Sequence, residues 1–180
     1  MPPLHLLPAF AAEDQFYVVV ESPRGSALKM KYRADLGAMS ISRPLPIGLS
    51  YPVDWGFVPS TTAPDGDPVD AAIYWDVASF PGVVIACRAL AVLEVEQNSS
   101  AGGRGRVRND RIIALPVDAR RQVELGPALL TTRVRMELET FFIAAAALEG
   151  KDPTIIGWGT PEMALHLLRS SLVHPDASHS

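Results

Sequence analysis

The property that most restricts the fold is a change of period partway along the chain. Up to Pro116 the apolar residues come in short β-rich runs broken by turn residues, and from Leu130 onward they recur at helical spacing. Residues 16–20 and 30–32 flank the turn-like Ser22-Pro23-Arg24-Gly25-Ser26 and read as a hairpin. Asp35-Leu36-Gly37 precedes a run at 38–41, and further runs at 69–74, 83–94 and 111–116 bring the expectation to five or six strands. The Gly/Ser/Asn/Arg-rich stretch from Asn98 to Asn109 reads as a solvated, mobile loop. Residues 130–149 set Val134, Leu138, Phe141, Phe142, Ala145 and Leu148 on one helical face, with Gly150 placed to end the helix. Thr160 before Pro161 and Glu162 starts a second helix, whose stripe is Ala164, Leu167, Leu168 and Leu172. Strands first and helices last predict one α+β domain over residues 1–180, mainly β: a small curved sheet or barrel covered on one side by two helices, with flexible ends at 1–14 and 175–180.

At 180 residues and 48% hydrophobic, the chain can bury one sizeable core. Its net charge of -4 gives no general attraction to nucleic acid or to an anionic membrane, so any charged partner must be recognised locally. The single cysteine, Cys87, excludes an intramolecular disulfide and fits a reducing, cytoplasmic setting. The apolar stretch 4–12 lacks a basic leader and is interrupted by Pro8, which argues against a signal peptide. No run approaches the roughly 18 apolar residues a spanning helix needs.

Chemistry concentrates in Asp65-Gly66-Asp67-Pro68-Val69-Asp70, three carboxylates at the mouth of an expected strand. Hard cations such as Mg2+ take oxygen ligands and keep several waters, so a few carboxylates plus substrate phosphates suffice. Asp-Gly and Asp-Pro pairs also make ordinary turns, so spacing alone leaves both readings open. An EF-hand is excluded, because Val69 stands at its third ligand position.

The same segment resembles the signature of the soluble family I inorganic pyrophosphatases, Asp-x-Asp-Pro/Glu-hydrophobic-Asp. Tyr51-Pro52-Val53-Asp54-Trp55-Gly56-Phe57-Val58 is similar to that family's Tyr-Pro-x-Asn-Tyr-Gly-Tyr-Ile run, and Pro81-Gly82 with Arg88-Ala89-Leu90-Ala91-Val92-Leu93 to its long strand. Glu21-Ser22-Pro23-Arg24-Gly25-Ser26 resembles the start of its first hairpin, and Gly157-Trp158 the pair that opens its last helix. The likeness implies an OB-like five-stranded barrel with two C-terminal helices packed on it. It further implies Mg2+-dependent hydrolysis of pyrophosphate or a related phosphorylated small molecule, with Mn2+ or another divalent cation as substitute, and assembly as a homo-oligomer. By the same likeness Asp65 and Asp70 match metal ligands, and Asp67 matches the carboxylate that takes the nucleophile's proton. Lys29 and Arg43 match phosphate-binding cations, with Lys31 competing for the place of Lys29. Trp55 and Arg111 match substrate contacts, and Glu21 an acidic residue at the edge.

The chain also departs from the pattern. Gln97 and Asn109 stand where the family has aspartates, and Asp110, Glu94 and Glu96 are neighbours of the wrong strand parity. Ala145 and Ala146 replace a tyrosine and a lysine, Trp55 replaces a tyrosine, and Lys31 replaces a glutamate. These changes predict impaired or altered hydrolysis, or, alternatively, a non-catalytic relative that binds a phosphorylated ligand or a protein partner. Arg104, Arg106, Arg108 and Arg111 form either a second phosphate grip or a solvated basic loop; without interleaved aromatics they do not argue for nucleic acid. His5, His166, His174 and His179 are expected at the surface, and Cys87 in the core.

Overall fold

The computed structural model describes residues 2–99, 105–119 and 125–173. Its strands are β1 (Phe10–Ala12), β2 (Gln15–Ser22), β3 (Leu28–Arg33), β4 (Ala38–Pro44), β5 (Asp54–Phe57), β6 (Asp70–Ile73), β7 (Val84–Asn98), β8 (Arg106–Arg108), β9 (Arg111–Pro116) and β10 (Thr154–Gly159). Two α-helices follow β9 in the chain, α1 (Thr132–Ala146) before β10 and α2 (Pro161–Ser170) after it. The sheet runs β2-β5-β6-β9-β7, and β2 pairs back onto β7, so five strands close a ring. This is the OB-like barrel that the sequence implies. All ring pairings are antiparallel except β6 with β9.

The β-branched runs become strands because both of their faces are covered. Val18, Val20, Ile73 and Ile112 turn into one buried cluster shared with Ala164 and Leu168 of α2. Leu93, Ile113 and Leu115 turn into the other, shared with Leu138, Phe141 and Phe142 of α1. α2 starts at the expected threonine cap, with Thr160 accepting from Met163 N, and α1 starts two residues later than expected, where Thr131 accepts from Val134 N. Gly56 is obligatory in β5, since a Cβ there would lie 1.9 Å from the Val19 carbonyl oxygen.

Several expectations are corrected. The runs at 16–20 and 30–32 do not form a hairpin: β3 pairs only with β4 in a separate two-stranded sheet. Side chains of β2 reach the β3 backbone instead, with Tyr32 N donating to Glu21 and Met30 N to Ser22 Oγ. Gly157 and Trp158 lie in β10, antiparallel to β7, rather than opening the last helix. Part of the supposed mobile loop is β8, tied to β7, and residues 100–104 lie outside the described residues. The N-terminal stretch holds β1, paired to β2, while 175–180 lie outside the described residues. Leu148 is past the end of α1 and 80% exposed, so it is no part of the packing face. His166 is exposed and Cys87 is buried as expected, but His5 is half-buried, 5.7 Å from the Tyr32 ring. His174 and His179 lie outside the described residues. No described helix is long and apolar enough to cross a membrane.

Candidate active site

One cavity, about 60 Å³ in volume, gathers Lys29, Arg43, Trp55, Asp65, Asp67, Asp70 and Arg111. Room for only a few water-sized groups suits a small polar ligand. Register explains the convergence. Lys29 and Arg43 are cross-strand partners of β3 and β4, and Lys31 falls on the same face two residues along. Both candidate lysines therefore line the cavity. Asp70 opens β6 and is the parallel partner of Arg111, which opens β9. Gly66, at φ +88, turns the acidic loop so that Asp67 N donates to Asp65 Oδ1 at 3.2 Å.

Burial sets the electrostatics. Asp70 is pushed up to about 6 by desolvation, which the Arg111 charge offsets in part. Glu21 is raised by burial to about 7 against the pull of the Tyr32 N–H. Burial also raises Asp65 and lowers Lys29. For Lys31 burial opposes the charge, but the 2.7 Å hydrogen bond to Asp67 together with the charges of Asp67, Glu21 and Asp70 outweighs it and raises the pKa. Arg111 is held against Phe142 and Trp55, 4.8 and 5.9 Å from the ring centres. Its Nε and Nη1 are buried without a hydrogen-bond partner among the described residues. The indole of Trp55 thus serves as a wall for a guanidinium.

Arg106 and Arg108 do not line the cavity. Arg106 pairs with Glu96, and Arg108 with Glu94 and Asp110, so these are structural ion pairs along β7 and β8; Arg104 lies outside the described residues. Asp110 accepts from Val95 N, as its strand parity warns. Gln97 is buried away from the cavity lining, while Asn109 lines it. The sequence reading missed Glu149 and Lys151 as site residues. Glu149 follows α1, lines the cavity and pairs with Arg43, Lys29 and Lys151. No spacing rule signals it, because only the fold brings the turn after α1 onto β3 and β4.

Among the described residues no three His, Cys, Asp or Glu side chains converge closely enough to hold a metal unaided. The donors present are nevertheless hard carboxylate oxygens, two or three of which could share an ion whose other ligands are water and phosphate.

A family profile described as inorganic pyrophosphatase matches residues 18–174. The chain belongs to the inorganic pyrophosphatase family. It is 35% identical over 164 residues to the inorganic pyrophosphatase of Thermus thermophilus, covering 89% of this chain and 90% of that protein. The inorganic pyrophosphatase of Synechocystis sp. is 31% identical, with 92% and 94% covered. The crystal structure of the Thermus thermophilus inorganic pyrophosphatase superposes with a TM-score of 0.85 at 31% identity, over 94% of this chain and 97% of that one. The inorganic pyrophosphatase of Helicobacter pylori gives 0.82 at 30% identity, over 92% and 95%. Family membership accounts for the closed ring.

Proposed function

We propose that this chain hydrolyses pyrophosphate to two phosphates. The observation that carries this reading is that all three signature aspartates share one cavity with Lys29, Arg43 and Arg111. Retention of that set also favours hydrolysis over the non-catalytic alternative. Asp65 and Asp70 would hold a divalent cation, Mg2+ or in its place Mn2+ or another, which supplies charge neutralisation and an acidified water. Asp67 takes the proton of the water that attacks phosphorus, while Lys31 holds its carboxylate in place. Lys29, Arg43 and Arg111 bind the phosphate oxygens and offset charge as the bridging P–O bond breaks. Trp55 keeps the Arg111 guanidinium fixed and excludes water on that side. Assembly as a homo-oligomer is part of the proposal, and light scattering on the purified chain tests it.

Phosphate release from pyrophosphate with Mg2+, Mn2+ or Zn2+, compared with Asp67→Asn, tests the reaction. The variant is expected to lose about 100- to 1000-fold in rate. Equal rates would end the hydrolytic reading.

A further inference from the structure

Three cations of the cavity share a single carboxylate. Arg43 Nη2 donates to Glu149 Oε1, Lys29 Nζ lies 3.4 and 3.5 Å from the two carboxylate oxygens, and Lys151 Nζ is 3.5 Å from Oε2. Among the described residues Glu149 is the only carboxylate paired with any of the three. The lysine contacts are long, so two oxygens serve three donors poorly. A phosphate group offers three terminal oxygens and up to two charges to the same donors.

Arg43 is also anchored independently, since Nη2 donates to the Ala145 carbonyl at 2.7 Å and Nη1 to that of Pro44 at 3.1 Å. It therefore stays in place if the carboxylate leaves. Glu149 sits beyond the end of α1 in a turn closed by Gly150, at φ +68, and not within a hydrogen-bonded helix or strand. Ala145 and Ala146 line the cavity beside it with side chains no longer than a methyl group.

We propose that Glu149 is a resident counter-anion: it occupies, on Lys29, Arg43 and Lys151, the position that a phosphate group of the substrate takes, and is displaced when that phosphate binds. The inference rests on the reading of this cavity as an anion site. Anion affinity is thereby lowered by an internal competitor, which favours release of the phosphate product.

The test is calorimetric titration of the metal-free protein with inorganic orthophosphate at fixed ionic strength, for wild type, Glu149→Gln, Glu149→Asp and Arg43→Met. Glu149→Gln is expected to bind orthophosphate about three- to tenfold more tightly than wild type. Glu149→Asp, with its charge drawn back by one methylene, should fall between them, and it carries the comparison if the glutamine variant does not fold. Unchanged or weaker binding by the folded Glu149 variants, with binding still lost in Arg43→Met, overturns the counter-anion role and leaves the anion site standing. Absence of orthophosphate binding by wild type and by every variant overturns the anion site itself, and the inference with it.

Discussion

Arg111 is a buried cation held by ring contacts, with Nε and Nη1 lacking a hydrogen-bond partner among the described residues. Its charge lowers the Asp70 carboxyl against the effect of burial. Arg111→Met, which keeps most of the volume, should therefore raise Asp70 further above about 6, as followed by carboxyl NMR in metal-free protein. Glu21 gives a second expectation. Its value of about 7 lies above the ordinary 4.5, so the folded chain holds an extra proton between those limits and stability falls as pH rises through them. Glu21→Gln should remove that slope, making the metal-free protein more stable than wild type at pH 8 by about 1–3 kcal/mol in urea unfolding. At this scale the sequence disclosed the contiguous residues and hid the scattered ones. Asp65, Asp67 and Asp70 announce themselves by spacing, whereas Glu149 gains meaning only through contacts across more than a hundred residues, and Lys151 through its pairing with Glu149.

β5 shows how little freedom an element can have. Gly56 faces the β2 backbone with no room for a methyl group, so Gly56→Ala must separate the two strands at Val19. The expected loss is about 3 kcal/mol or more, read from the urea midpoint, because the obstruction is backbone and cannot rotate away. At the start of α2, Thr160→Ala should cost only about 1 kcal/mol, the value of one capping bond. Caps and apolar periodicity made both helices and most strands readable. The β2–β3 hairpin failed because turn chemistry predicts a reversal and not the partner: β2 is already paired on both sides, with β5 and β7, leaving only its side chains for β3. β10 was overlooked because Gly157 and Gly159 break the strand signal, and Gly159 is needed where a Cβ would lie 2.6 Å from Val92 Cγ1.

For the molecule as a whole, the cavity draws on β2 to β6, β9, α1 and the turn after it, so a ligand there resists unfolding of the entire barrel. Its described lining contains five carboxylates, Glu21, Asp65, Asp67, Asp70 and Glu149, and five cations, Lys29, Lys31, Arg43, Arg111 and Lys151. Such a balanced site attracts a lone divalent ion weakly. Mg2+ alone should shift the melting temperature little, while Mg2+ with non-hydrolysable imidodiphosphate at a hundredfold excess over Kd should add about 2.7 kcal/mol of stability. Closure of the ring was legible through family likeness, since composition and period alone leave a curved sheet and a barrel equally open. The long strand β7 is flanked by β2 along its first half and by β10 along its second, with β9 opposite. β10 follows every other described strand in the chain, and until it docks, the stretch from Val92 to Glu96 offers an open row of amides and carbonyls beside an apolar core. Chains cut before Thr154 should therefore aggregate more readily on refolding than chains that carry β10.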